Sequence, residues 1–467
     1  MTKKNISRRN FISKAGIATL GTGFLASSVF SLKSMANAAF STERKGGGGY
    51  KAMVCLLLEG GADSFNMLIP RSNTEYNEYA ISRSNLAIPQ NELLPITPLN
   101  NDGSQYGLHP AMPQIQSLFN SGEMSFMSNI GTLVEPVTKE EFWDGSVPLP
   151  LGLFSHSDQI QQWQNGRPHE RTPIGWGGRI SDIMTPGNPN QTVPMSVSLS
   201  GNNVFQHGVG TIEFVINQNG SVGIYGYGED DWHYNTVKTA SINAMFAQQH
   251  SDPYKSTYIN TLKNANNAGI EFREAIENVA EFSTEFSNTP LSRKFEMIAK
   301  TIAAREDLGF EKQIFFVRFS GWDHHDDVLN EMNLMLPELD AAFAEFNSVM
   351  NELGTNNDVT TFSMSDFGRT LTSNGDGTDH AWGGNTMVMG GSVNGQYRFG
   401  EFPSLQLNSP LDVGDGVLIP QISTDEYFAE IAMWFGVENE DISTIFPNLS
   451  NFYDINSGMP PIGFLNF

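Results

Sequence analysis

Tyr50-Lys51-Ala52-Met53-Val54-Cys55-Leu56-Leu57-Leu58, followed at once by Glu59-Gly60-Gly61-Ala62-Asp63-Ser64-Phe65-Asn66, decides the fold class of this chain. Nine residues with almost no polar interruption, ending in a glycine turn, read as a strand covered on both faces. Strands of that kind belong to parallel sheets with helices packed on each side. The turn leaves Asp63 just beyond the strand's C-terminal end. Cys55, the only cysteine, lies inside the run and reads as a small buried hydrophobe.

Similar apolar runs recur over residues 123–130 (EMSFMSNI), 313–319 (QIFFVRF), 359–364 (VTTFSM) and 385–389 (NTMVM). Helical spacing fills the intervals. From Val328 to Leu353 the apolar positions Leu329, Met332, Leu336, Leu339, Phe343, Phe346, Met350 and Leu353 alternate by three and four, with Pro337 expected to start or kink the helix. A second helix is expected over Leu291 to Arg305 behind a Ser292 cap. Strand, helix, strand through Arg318 and Met364 implies a parallel crossover, which carries the residues after both strands to one sheet edge. Residues 193–227 are rich in Val, Ile, Ser, Asn and Gly and read as short strands and hairpins, with a polar helix after them. The stretch about 190–290 is therefore expected as a β-rich insertion, an elaboration of the main domain or a cap over its site.

Acidic and histidine residues cluster beside these runs, most densely at Asp323-His324-His325, Ser365-Asp366-Phe367-Gly368-Arg369 and Asp379-His380. Carboxylates and imidazoles together suggest a metal-assisted hydrolytic site. Without thiolates, such a ligand set suits zinc, manganese or calcium. No cysteine cluster, haem motif or glycine fingerprint points to redox chemistry.

Residues 1–38 read as a twin-arginine export signal, with Ser7-Arg8-Arg9-Asn10-Phe11 ahead of a weakly apolar stretch and Ala36-Asn37-Ala38 as the cleavage site. The stretch is interrupted by glycines and too short for the roughly 20 apolar residues of a stable span. The alternative reading is an uncleaved anchor. Residues 39–50 form a glycine-rich leader, and residues 51–467 a single α/β domain. A periplasmic or extracellular location follows, with the twin-arginine machinery as a partner and no stable membrane span after cleavage. Removing residues 1–38, which carry six basic and no acidic residues, takes the net charge from -24 to -30. A field of that sign repels nucleic acid and anionic lipid surfaces. With one cysteine there is no intramolecular disulfide, so the core must supply the stability.

The ordered series LEGGADSFN, YGLHPAM, FSHSDQIQQWQNG, FVRFSGWDHH, SDFGRT, GTDHAWGG and IPQISTDEYFAEIAMWFGV, behind a twin-arginine signal, resembles the DUF1501 family over nearly the whole exported chain. That family comprises exported proteins of undefined activity, similar to the alkaline phosphatase and sulfatase superfamily. The resemblance implies an alkaline phosphatase-like three-layer sandwich with metal ligands at the C-terminal edge of a mostly parallel sheet. Matched residue by residue, Asp323, His325 and His380 resemble the ligands of one metal, and Asp63 and Asp366 those of another, completed by a nucleophile. The implied reaction is hydrolysis of a phosphate or sulfate ester.

This sequence departs from the superfamily pattern in having Phe367 after Asp366, where a histidine is common. Ser155, ahead of a helix, is a candidate nucleophile, and a helix N-cap is the equally weighted alternative. Arg369 is a candidate fork for a tetrahedral oxyanion, or a salt-bridge partner. His156 reads more readily as a capping or packing residue than as a metal or substrate ligand, whereas His109, in Gly107-Leu108-His109-Pro110, resembles a family motif, with a structural role as the equally weighted alternative. The sulfatase signature of Cys or Ser with Pro two residues on and Arg two further is absent. A competing function is a non-catalytic protein that binds a glycan or cell-surface partner, using Trp143, Trp163, Trp176, Trp232 or Trp382 as stacking faces.

Overall fold

The computed structural model describes residues 49–100 and 103–467. The expected export signal and most of the leader lie outside the described residues. The opening apolar run is strand β1 (Lys51–Glu59), buried throughout except at its two ends. Twelve more strands follow among the described residues. They are β2 (Leu68–Pro70), β3 (Leu94–Ile96), β4 (Tyr106–Leu108), β5 (Met124–Gly131), β6 (Ser196–Ser198), β7 (Phe214–Asn217), β8 (Gly220–Ser221), β9 (Lys312–Ser320), β10 (Val359–Ser365), β11 (Gly384–Met389), β12 (Arg398–Phe399) and β13 (Ile422–Ser423). Three of them form a small sheet in the order β2-β4-β3. The other ten form the main sheet, ordered β12-β5-β11-β10-β1-β9-β6-β7-β8, with β13 also on β5.

β1 runs down the middle of the main sheet, parallel to β9 on one side and β10 on the other. The register sets Leu58 beside both Phe319 and Ser365, so the three strands end together. Whatever follows each strand therefore arrives at one edge of the sheet. β11 differs, being antiparallel to both β10 and β5. Its entering end lies at that same edge, so Asp379 and His380, which precede it, reach the place where Asp323 and Asp366 exit. The fold is thus mixed α/β, with a large, mostly parallel sheet flanked by helices.

The long periodic segment forms one helix, Val328–Glu352, with Pro337 inside it rather than at its start. The preceding helix is Pro290–Ala303. Its cap is Thr289, whose hydroxyl accepts from the Ser292 amide, and not Ser292 as expected from sequence; Pro290 occupies the first turn, where its missing N–H costs nothing. In the insertion, β6 pairs parallel to β9 and β7 parallel to β6, so its strands widen the main sheet. Helices α1 (His233–Phe246) and α2 (Pro253–Glu277) follow. α1 buries only Asn235.

One core cluster takes in β1, β9, β10 and the helices packed on them. Cys55 sits in it with no exposure, and burial pushes its thiol well above the ordinary range. Among the described residues no helix is long and apolar enough to cross a membrane.

Candidate metal centre at the strand ends

Asp323 leaves β9 through Gly321 and Trp322. Its backbone lies so close to the turn after β1 that a Cβ on Gly60 would sit 2.5 Å from the Asp323 amide nitrogen. Gly60 also holds φ at +121°, a conformation only glycine adopts without strain. Asp366 follows β10 directly. The chain then runs antiparallel to the segment entering β11, with the Thr370 amide bonded to the Asp379 carbonyl and an isolated bridge between Arg369 and His380. A third segment brings the helix His156–Asn165 to the same edge. Phe154, just ahead of it, holds φ at +71°, unusual for a bulky residue, and its carbonyl accepts from Nδ1 of His380 at 2.8 Å.

Four side chains meet here. Nε2 of His156 lies 3.0 Å from Nε2 of His380 and 3.4 Å from Oδ1 of Asp323. Nε2 of His325 lies 2.9 Å from Nε2 of His380 and 3.1 Å from the same Asp323 oxygen. Nε2 of His380 is 3.5 Å from that oxygen. His156, Asp323 and His380 form a group whose donor atoms all lie within 4.8 Å of one another. These separations are close to the roughly 3.3 Å between two ligand atoms of a tetrahedral ion bound at about 2.0 Å.

The opposite nitrogen of each ring decides what the three Nε2 atoms present. Nδ1 of His156 faces Oδ2 of Asp366 at 2.8 Å, Nδ1 of His325 faces Oδ1 of Asp379 at 3.1 Å, and Nδ1 of His380 faces the Phe154 carbonyl. These oxygens accept, so each neutral ring carries its proton on Nδ1 and turns a bare Nε2 lone pair inward. Burial holds His380 below the usual imidazole range, which favours that neutral form. Three lone pairs and a carboxylate oxygen facing one another repel unless a cation lies among them. Imidazoles anchored through the far nitrogen by a carboxylate or carbonyl are the usual second layer of a metal site. The donor set of His156, Asp323 and His380 therefore fits a divalent ion, and Nε2 of His325 stands beside it, 3.1 Å from the same Asp323 oxygen.

The carboxylates differ in charge environment. Burial is the largest influence on Asp323 and works against its charge, but the Arg369 hydrogen bond and charge together with the charges of His156 and His325 outweigh it and hold the group below the ordinary carboxylate range. At Asp366 burial wins, raising the carboxyl despite the bond from His156. Asp379 is held low, first by the hydrogen bond from Asn374 and then by His325. The Asp323 side chain is 46% exposed and that of His325 43%, so one side of the centre is open to solvent.

Of the residues singled out in the sequence, the structure brings Asp323, His325 and His380 together and gives the others different surroundings. Asp63 does not join them. It is fully buried and paired with Arg83, itself fully buried and bonded to the Thr370 carbonyl. Asp366 orients His156. Arg369 is not a free fork for an anion, because it is buried and donates to the Gly61, Thr378 and Gly60 carbonyls and to Asp323. Ser155 is the N-cap residue of its helix by position, but its hydroxyl makes no capping bond and instead contacts that of Ser157 at 3.0 Å. His109 is a packing residue, its Nδ1 accepting from the Ala111 amide and burial lowering it to about 4. Phe367 is a wall of the centre, its ring 4.7 Å from His156 and 4.6 Å from His380. Sequence reasoning undervalued His156, and its only local signal was a histidine at a helix start beside the singled-out Ser155.

Residues 226–423 match the DUF1501 family, described as a protein of unknown function. The DUF1501 match contains Asp323, His325, Asp366 and His380 but not His156. No curated protein matches the sequence. Among solved structures, similarity extends to the PsFucS1 sulfatase from Pseudoalteromonas sp., at 11% identity over 88% of this chain and 72% of that one, with a TM-score of 0.34. The lipooligosaccharide phosphoethanolamine transferase A of Neisseria meningitidis is 11% identical over 86% of this chain and 58% of its own, with a TM-score of 0.34. The lipoteichoic acid synthase LtaP of Listeria monocytogenes is 9% identical over 79% and 74%, with a TM-score of 0.32.

Proposed function

We propose that this protein is an exported hydrolase that holds a divalent metal through His156, Asp323, His325 and His380 and cleaves phosphate or sulfate esters. The observation that carries the reading is the convergence of three bare imidazole nitrogens on one Asp323 oxygen. A divalent ion held there would supply Lewis acidity toward an ester oxygen and would make a nearby hydroxyl or water more acidic. The chain's own residues supply position. Asp366, Asp379 and the Phe154 carbonyl keep the Nδ1 protons in place, Arg369 holds Asp323, and Phe367 walls off one side. Ser155 is the proposed nucleophile, because it is tethered between Phe154 and His156 and its hydroxyl is not spent on capping. Hydrolysis then transfers the phosphoryl or sulfuryl group to the serine and on to water, releasing the alcohol first and the acid second.

The test is metal analysis of purified protein together with hydrolysis of p-nitrophenyl phosphate and sulfate. Bound divalent metal and an activity lost on His380→Ala are expected. Absence of bound metal, with no gain of hydrolysis on adding any divalent ion, overturns the reading. For export, replacing Arg8 and Arg9 by lysine should retain the protein in the cytoplasm.

One observation favours the non-catalytic alternative. Trp232 is 61% exposed beside Tyr234, with ring centroids 5.1 Å apart, and Tyr225, Tyr254 and Tyr258 are exposed as well. Such rings suit stacking on a sugar. Trp163, Trp176 and Trp382, by contrast, are buried in the core and offer no such face. Binding to a glycan array that survives His380→Ala and disappears with Trp232→Ala would support this alternative.

A further inference from the structure

We propose that the centre is mononuclear and takes a borderline transition-metal ion of the zinc class, with Asp366 as a positioning residue for His156 rather than a ligand to a second ion. The proposal rests on the metal reading above and specifies what the site holds.

Three features oppose a second ion. Both Asp366 oxygens are committed, Oδ1 to the Gly60 amide at 3.1 Å and Oδ2 to Nδ1 of His156 at 2.8 Å, in a side chain that is almost fully buried. Asp63, the other carboxylate the resemblance assigns to a second ion, is neutralised by the buried Arg83 guanidinium. A fixed positive charge in a dry region repels an added dication, and the one unpartnered oxygen left, Oδ1 of Asp63, is not a coordination shell. The position after Asp366 is filled by Phe367, whose apolar ring packs on His156 and His380.

The donor chemistry sets the class of ion. Calcium takes six to eight oxygens, whereas three imidazole nitrogens and one carboxylate suit zinc and its transition-metal neighbours. Asp366 tunes that ion at one remove by fixing the tautomer and orientation of His156.

The experiment titrates metal-free full-length protein with zinc and, separately, calcium. Stoichiometry is read by native mass spectrometry and affinity by chelator competition, for the wild type, Asp366→Ala and Asp366→Asn. Expected are one zinc per chain in all three, no stoichiometric calcium, and zinc affinity weakened by about 10- to 100-fold in Asp366→Ala. Asp366→Asn keeps the side-chain shape and an acceptor, so it should weaken binding less and carries the test if the alanine variant does not fold. Two zinc ions in the wild type, with one lost on Asp366→Ala, would overturn the proposal while leaving the metal reading intact. Unchanged zinc affinity in the Asp366 variants would overturn the positioning role, and calcium bound in preference to zinc the ion class. A wild type that binds no metal at all removes the metal reading and this proposal together.

Discussion

Asp366 accepts from Nδ1 of His156 at 2.8 Å across 210 residues of sequence, and that bond decides which nitrogen of the ring faces Asp323. It joins the end of a central strand to the start of a helix from a distant segment. The centre therefore depends on the sheet's register as much as on its ligands.

Gly60 should tolerate no side chain. Gly60→Ala combines a strained φ with a Cβ 2.5 Å from the Asp323 amide nitrogen, so the turn or the Asp323 segment must move. A loss of about 2 kcal/mol in stability is expected from the backbone conformation, with weaker metal retention. Urea unfolding and metal content of the same preparation check both.

Arg369→Met should destabilise the protein by about 3 kcal/mol, the range seen when one partner of a buried charged network is removed. Asp323 is half exposed, so most of the loss comes from the three backbone carbonyls left without a donor. A variant with unchanged denaturation midpoint would contradict this account.

Stability should fall between about pH 5 and pH 8 through Asp425. Its carboxyl is fully buried, and burial raises it to about 8 against the partial opposition of Arg179. The folded chain keeps this proton up to about pH 8, whereas the unfolded chain gives it up near its ordinary value. The native state therefore binds more protons in between, and stability drops with rising pH by at most about 1.4 kcal/mol per unit from this group. Asp425→Asn should flatten that part of the profile and gain most over wild type near pH 8, as measured by denaturant unfolding at several pH values.

Glu430 should hold the C-terminal segment in place. It is fully buried and accepts from the Ile462, Gly463 and Leu465 amides. Glu430→Ala should release these amides, so hydrogen exchange over residues 462–466 should rise well before any change in the central strands. Uniform protection in the variant would argue against this tie.

Much of this architecture is legible in the chain. The apolar runs at β1, β9 and β10 mark their strands to within a residue or so, because strands buried on both faces leave a continuous signature. Asp323, His325 and His380 stand out because acid and imidazole cluster beside those runs. An apolar run does not encode strand direction, so the antiparallel course of β11 is invisible in sequence. Asp63 could not be seen to pair with Arg83, since the arginine's burial depends on how the helix Asn73–Arg83, which it ends, packs. His156 carries no periodic signal, and its partners Asp366 and His380 are more than 200 residues away. Pairings of that range become visible only once the register of β1 with its two neighbours is known.

Cys55, sealed within β1, gives the protein its own unfolding clock. A thiol with no exposure and a raised pKa cannot meet a modifying reagent while the central strand is paired on both sides. With no second cysteine to compete, the rate of its labelling in dilute denaturant reads the opening of the sheet's middle, strand by strand with its neighbours, and needs no engineered probe.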